Sequence, residues 1–418
     1  MLLGVAVVAL ASPWCSCRAE RDAERDVERV AEARLTGRPQ IAAGFERAPY
    51  LQSLGADSVL IAWIATAPGR AEVDFGPTRQ YGATARAISD GARHAVTLRD
   101  LQPGTTYLYR VRAGERVLDQ GEHLRFTTDV GTQDRSFSFF VTGDVGDRRG
   151  RQAITAASIA RAPVQPELGI LCGDIVYSRG LSEDYDARLM HPWRELFSRI
   201  PIWPALGNHD WKSDPRSNWR REWYLPGNEH YYSFDFANAH FVALDTRDGD
   251  IYDARQQVRW LEADLAAHQD TEWLFAYFHH PGVTCTYKGD NEAVKRHFMP
   301  LFERYGVDVV FAGHAHTYER LYPLRDGRPV DVEQDPEYTN PGGPLYIVSG
   351  ASAKLKRNRP TKRCGPTAFA RDELLLWTQV FVDGNACVIR SWASEDDEPV
   401  DEVRIVKTRP RAGSASSP

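Results

Sequence analysis

The sequence predicts an α/β protein, in which a layered α/β domain follows a small all-β sandwich. Three observations carry this. From Ser136 onward the chain holds continuous apolar runs of strand length, SFSFFVT, ELGILC, LFAYF and VDVVFAG; strands that are apolar at every residue are buried on both faces. Amphipathic stretches lie between these runs, and alternation of strands with helices is the pattern of a layered α/β domain. Before Ser136 the texture differs. Short stretches such as SVLIAWIA, AEVDFG, HAVTLRDL and TYLYRVRAG are separated by turn signals, as in a small sandwich.

Taken in order, the chain opens with the apolar stretch Met1–Ala11. It has signal-peptide length and is too short to span a bilayer. Ala9-Leu10-Ala11 offers a small-x-small cleavage site, although a charged n-region is missing. The expectation is export to a periplasmic, cell-surface or secreted location, with residues 1–17 cleaved or kept as a tether; an accidental apolar run after an internal start is the alternative. Residues 18–44 are a mixed-charge linker. Residues 45–130 form the sandwich. Tyr107, Tyr109 and Val111 alternate with polar residues, and Asp100-Leu101-Gln102-Pro103-Gly104 reads as a turn entering that strand. This segment shows no cluster of titratable groups, and it reads as a structural or docking module.

Residues 135–405 form the α/β domain. One helix is expected from Ala254 to His268, with Val258, Leu261 and Leu265 on one face. A second is expected from Asn291 to Tyr305, with Val294, Phe298, Leu301 and Phe302 inward and Gly306 as its stop. PLYIVSG and TQVFVDGNACVIRSW add strands, the latter turning at Asp383-Gly384-Asn385. Residues 406–418 end in RAGSASSP and read as a disordered tail.

The length of 418 residues fits two or three domains, and 42% hydrophobic with 26% charged residues is ordinary for a soluble globular chain. No later segment reaches 18 apolar residues, so no transmembrane helix is expected. The net charge of −6 argues against nucleic-acid binding through a basic surface. It leaves small phosphorylated substrates open, and oligomeric state is not legible. Six cysteines form no pair of C-x-x-C units, which disfavours a structural zinc site. Cys15 and Cys17 belong to the N-terminal segment and Cys172 reads as a buried thiol. Cys285 and Cys364 are candidates to pair in an oxidising compartment.

The chemistry lies where the apolar runs end. SFSFFVT is followed by Gly143-Asp144-Val145-Gly146-Asp147, and ELGILC by Gly173-Asp174-Ile175-Val176-Tyr177. PIWPAL is followed by Gly207-Asn208-His209-Asp210, LFAYF by His279-His280-Pro281, and VDVVFA by Gly313-His314-Ala315-His316. In an open α/β sheet, ligands bind outside the carboxyl ends of strands, and five such ends carry Asp, Asn or His. Carboxylate, imidazole, amide oxygen and phenolate suit first-row metal ions, and the absence of cysteine excludes a thiolate site. Seven such groups exceed the needs of one ion and fill two that share a carboxylate. Alone, each motif reads as a turn residue or a packed tyrosine; the ordered set favours metal.

That ordered set resembles the calcineurin-like metallophosphoesterases. Tyr177, three residues after Asp174, narrows the resemblance to the purple acid phosphatases, in which a tyrosinate on Fe(III) gives the colour. Val307-Asp-Val-Val-Phe-Ala-Gly-His-Ala-His-Thr-Tyr-Glu-Arg320 is similar to that family throughout. Ala48-Pro-Tyr-Leu-Gln52 and its surroundings resemble the fibronectin-III-like domain that precedes many long members. The resemblance spans about residues 45 to 400 and implies an α/β/β/α layered domain. It implies Asp144, Tyr177 and His316 on Fe(III), Asp174 bridging, and Asn208, His279 and His314 on a second ion, Fe(II), Zn(II) or Mn(II). His209 would face the substrate and protonate the leaving oxygen.

Two departures stand out. The usual V-x-x-H reads Ala276-Tyr-Phe-His279, and a further His pair of plant-type members is replaced by Val283-Thr-Cys-Thr-Tyr-Lys-Gly-Asp290, so substrate contacts there differ. His280 is a candidate for contact behind the ligands or a rim histidine. The implied reaction is attack of a metal-bound hydroxide on a phosphate monoester, releasing inorganic phosphate. A strongly Lewis-acidic Fe(III) favours activity at acid pH. The same site acting on phosphodiesters, and a non-catalytic cell-surface binding protein, are the competing readings.

Overall fold

The computed structural model describes residues 44–131, 136–212, 215–246, 251, 253–356 and 365–408. The signal-like segment, nearly all of the charged linker, Cys15, Cys17, Cys364 and the tail from 409 lie outside the described residues.

The N-terminal unit is two four-stranded antiparallel sheets. One holds Phe45–Gln52, Val59–Ala65, Arg93–Leu98 and Ile88–Asp90; the other holds Ala83–Arg86, Glu72–Gly76, Thr106–Ala113 and Arg116–Thr127. Alternation works as expected: Tyr107, Tyr109 and Val111 are buried and their neighbours are not. One expectation fails here, because the sandwich does contain a cluster of titratable groups. Antiparallel pairing sets Glu72 opposite Arg112 and Asp74 opposite Arg110. Asp74 accepts from Arg110 at 2.6 Å and from Arg112 at 2.7 Å. Residues nearly forty apart in sequence became cross-strand neighbours, which no local pattern reveals.

The second unit is built on two seven-stranded sheets. In the first, Ile202–Ala205, Leu168–Cys172 and Phe137–Thr142 run parallel, followed by Leu376–Asp383, Ala386–Ala393, Glu398–Val406 and Glu337–Thr339. In the second, Ala239–Ala243, Trp273–Phe278, Val309–Ala312 and Leu345–Ser349 run parallel, with Tyr232–Phe236 at one edge and Tyr318–Leu321 and Thr367–Arg371 at the other. The sheets pack face to face. Phe139 meets Phe241, Phe275 and Phe311 edge-on, with ring centroids 5.1, 5.1 and 6.3 Å away. Its neighbour Phe140 points the other way, to Trp193 of the helix His191–Phe197. On the far side, Leu274, Ala276 and Phe278 pack under the helices Ala254–Ala267 and Met299–Tyr305. Helix, sheet, sheet, helix is the result, and every central strand is buried on both faces, as its unbroken apolar run required.

Two boundaries differ from expectation. The helix expected over 291–305 is two, Glu292–His297 and Met299–Tyr305. Pro300 has no N–H to continue the ladder, so the chain breaks at Phe298. Asn291 caps the first by accepting from the N–H groups of Ala293 and Val294. The tail expected from 406 is ordered at its start. Val406 pairs with Ala386, and the Lys407 N–H donates to Asn385 O at 2.9 Å.

Candidate metal centre

The parallel strands of both sheets end at one rim, and the expected ligands sit in the first turns beyond them. Asp144 follows Phe137–Thr142, Asp174 follows Leu168–Cys172, Asn208 follows Ile202–Ala205, His279 follows Trp273–Phe278, and His314 follows Val309–Ala312. Asp144, Asp174 and His314 adopt left-handed backbone with φ of 59°, 51° and 68°. Such residues carry strain that the surrounding structure must hold, and they gather at functional sites. Two glycines are dictated by crowding. A Cβ on Gly207 would lie 2.0 Å from Asp174 N, and one on Gly313 would lie 2.5 Å from Cys172 O.

The side chains converge. Tyr177 donates its hydroxyl to Asp144 Oδ1 at 2.5 Å, and His316 Nε2 lies 3.2 Å from that hydroxyl and 3.3 Å from Asp144 Oδ1. His279 Nε2 lies 3.3 Å from Asp174 Oδ1, 3.2 Å from Asn208 Oδ1 and 3.2 Å from His314 Nδ1. Asp144, Asp174 and His279 offer ligand atoms within 4.8 Å of one another. All seven expected ligands are therefore brought together.

Hydrogen-bond roles test whether this set fits a cation. His279 Nδ1 lies 2.8 Å from Cys172 O, and a carbonyl only accepts, so Nδ1 carries the proton. In the neutral ring Nε2 is then a lone pair, and it faces a carboxylate oxygen, an amide oxygen and another imidazole nitrogen. With the ring neutral these acceptors converge on one buried point and fit a cation; without one, a proton on Nε2 takes that place. The field says the same. Burial opposes a charge on His279, yet Asp174 and Asp144 outweigh it and hold the imidazolium at about 9. Tyr177 behaves in the opposite way. Burial, then Asp144 and Asp174, keep its phenol proton far above the ordinary range, so a phenolate here needs a highly charged ion beside it.

His209 lies at the mouth. Its N–H donates to Asp174 Oδ1 at 2.7 Å, its Nδ1 to Ser178 O at 2.7 Å, and its ring sits 4.5 Å from that of Tyr177. Burial lowers its pKa, although Asp174 pulls the other way. Lys212 Nζ lies 3.1 Å from its Nε2. His280 is buried behind His279 and His314, with Nδ1 3.1 Å from Thr246 Oγ1. Burial and then His279 push it down to about 3, so it is a neutral packing partner of the ligands.

Several groups escaped the sequence reading. Asp210 is buried and accepts from the N–H groups of Gly207, Ile175 and Val176 at 2.9 to 3.3 Å, tying the Asn208 turn to the Asp174 turn. Burial and then Asp174 raise it to about 7. Its signal was its place directly after His209. Lysines from separate loops also line the mouth. Lys354 Nζ stands 4.1 Å over the Tyr177 ring, and Lys356 Nζ 3.9 Å over that of Tyr287. Burial lowers Lys288 below its usual range, while the fields of Asp144 and Asp174 raise it. Lys288 and Tyr287 come from the stretch that replaces the plant-type His pair.

Residues 137–318 match the family Calcineurin-like phosphoesterase. Acid phosphatase type 7 of Mus musculus is 27% identical over 413 residues, covering 86% of this chain and 90% of the mouse protein. Purple acid phosphatase 22 of Arabidopsis thaliana is 29% identical over 279 residues, covering 62% of this chain and 58% of the plant protein. Residues 137–318 are a calcineurin-like phosphoesterase domain, and the chain is a homologue of acid phosphatases of the purple type. The fold of the purple acid phosphatase from yellow lupin seeds superposes with a TM-score of 0.72 at 19% identity, over 87% of this chain and 75% of that one. Membership in the phosphoesterases agrees with the donor set, which contains oxygen and nitrogen and no sulfur.

Proposed function

We propose that the protein hydrolyses phosphate monoesters and releases inorganic phosphate at a two-metal centre, Fe(III) with Fe(II), Zn(II) or Mn(II). The supporting observation is the convergence of Asp174, Asn208 and His314 on the Nε2 of His279, with Asp144, Tyr177 and His316 alongside. Asp144, Tyr177 and His316 would hold the ferric ion, Asp174 would bridge, and Asn208, His279 and His314 would hold the divalent one. When bound, the ions supply Lewis acidity and a water activated for in-line attack on phosphorus.

The chain's own residues account for the rest. Asp210 and Gly207 hold the Asn208 and Asp174 turns against each other. The Nδ1 of His209 is committed to Ser178 O, so Nε2 delivers a proton to the leaving oxygen from the imidazolium form, which acid pH supplies. Lys212, Lys288, Lys354 and Lys356 set a positive rim around a site whose carboxylates are negative. That rim favours a monoester dianion over the singly charged diester. Cys285 is disulfide-bonded, while Cys172 and Cys387 are free and buried. A disulfide supports an oxidising compartment and hence an exported protein; its candidate partner Cys364 lies outside the described residues.

The test is turnover of 4-nitrophenyl phosphate against its bis ester from pH 4 to 9. The monoester should be preferred, and His209→Ala should lower its kcat by about 10²- to 10⁴-fold, the usual contribution of a positioned acid. Preference for the bis ester would move the reading to phosphodiester hydrolysis. Metal-loaded protein inert on both would return it to a binding protein.

A further inference from the structure

The first strand of the sandwich reaches the reaction centre through two links. Arg47 of Phe45–Gln52 is completely buried. Its Nε donates to Asp186 Oδ1 at 2.6 Å and its Nη1 to Glu222 Oε2 at 2.5 Å. Asp186 opens the helical turn Asp186–Met190. Two residues on, Arg188 donates through Nη1 to Tyr177 O and pairs through Nη2 with Asp184 at 2.6 Å. The next carbonyl, Ser178 O, accepts from His209 Nδ1. The Tyr177–Ser178 segment is thus gripped from one side by His209 and from the other by Arg188, whose turn is anchored by Arg47.

We infer that Arg47 is a positioning residue. Through Asp186 and Arg188 it fixes the loop that presents the Tyr177 hydroxyl and sets the orientation of His209. The guanidinium is suited to this, because its planar fork bonds two carboxylates in fixed directions. Asp186 and Arg188 share one helical turn, so a shift at Asp186 is delivered to the Tyr177 carbonyl. A displacement of about 1 Å at a reacting group costs about 10²-fold in rate. The sandwich is on this account part of the catalytic apparatus rather than a separate docking module. The structure also contains a control. Arg93 joins the same interface, donating to Glu222 Oε1 at 3.0 Å and to Arg221 O at 3.2 Å, but it does not touch Asp186.

The inference rests on the proposed metal centre, so its test has a readout that needs no metal. The variants are Arg47→Met, Asp186→Asn, Arg188→Met and Arg93→Met in the full chain. In metal-free protein, amide hydrogen exchange is followed at residues 177–180, where Gly180 N–H donates to Val176 O at 2.9 Å. In iron-loaded protein, the visible band, kcat and KM for 4-nitrophenyl phosphate are recorded. The first three variants should each speed exchange in that segment about tenfold or more and shift the band. They should lower kcat by about 10- to 100-fold, as loss of a residue that orients metal ligands does, with KM within about twofold. Arg93→Met should lower thermal stability and leave exchange, band and kcat unchanged. If Arg47→Met does not fold, Asp186→Asn, which keeps the shape and removes the charge, carries the test. Unchanged exchange and kcat in Asp186→Asn and Arg188→Met would overturn the inference, as would Arg93→Met reproducing their effects. A colourless, inactive wild type would instead overturn the metal centre, and the exchange data would still decide for or against the relay.

Discussion

At the junction of the two domains, the carboxylates of Asp186 and Glu222 meet the guanidinium groups of Arg47 and Arg93. At the rim of the parallel strands, Asp144 and Asp174, 0% and 1% exposed, meet a phenol, imidazoles and main-chain N–H groups, with no lysine or arginine in ion-pair range among the described residues. Arg320, with Asp401 at 2.7 Å and Asp335 at 2.5 Å, follows the first pattern. Buried charge is costly unless it is paired. The interface clusters are paired by the protein itself and need nothing further. The rim carboxylates have no such arginine partner, and the imidazoles, phenol and amide oxygen gathered on them are a set that fits a cation. The comparison teaches how to separate structural from functional charge in this fold: the structural clusters pair their carboxylates with arginines of the chain, and the candidate functional one leaves its carboxylates to groups that can also ligate a metal.

The comparison can be broken most severely at Asp174. Asp174→Ala should empty the centre of metal and lower kcat/KM by on the order of 10³-fold or more, since metal assistance is worth several kcal/mol. Metal content by elemental analysis with turnover checks it, and retention of both would refute the ligand assignment. At the balanced interface, Arg47→Met should leave the fully buried Glu222 with Arg93 as its one arginine and cost about 3 kcal/mol of stability, read as a shift in denaturation midpoint of the metal-free protein. A smaller effect is expected at a third cluster. His240 is 1% exposed and lies between Asp235 Oδ1 at 2.6 Å and Asp264 Oδ2 at 2.9 Å, with His268 stacked on its ring at 3.6 Å. Burial opposes its charge, but the two carboxylates prevail and raise its pKa. A raised folded pKa means that the stabilisation is present below the unfolded value, about 6.5, and lost as pH rises through the folded one. His240→Gln should therefore destabilise by about 1–3 kcal/mol at pH 5, as charged hydrogen bonds do, and by less at pH 9. Equal losses at both would show that His240 acts by packing alone.

Much of the candidate site was readable before any fold was known, for one reason. Its residues stand immediately after apolar runs, and a strand buried on both faces fixes where the next residue emerges. Asp144, Asp174, Asn208, His279 and His314 all follow that rule. The layered fold was legible for the same reason, and Phe139 and Phe140 show the alternation at work. What escaped is long-range. Arg47 and Glu222 are 175 residues apart, and nothing local to either announces the other. The Asp74 cluster depends on strand register. Asp210 was visible as part of its motif, but its work as a clamp between two turns depends on how close Gly207 comes to Asp174. The break at Phe298 was missed because the apolar spacing runs straight through Pro300.

The central claim is that the rim cluster holds two ions, one of them ferric and bound by Tyr177. Protein purified without chelator should be assayed for metal and scanned in the visible region, alongside Tyr177→Phe. The account predicts two ions per chain, at least one of them iron, and a broad visible band that Tyr177→Phe abolishes. Fewer than one ion per chain, or a band that survives in Tyr177→Phe, would contradict it.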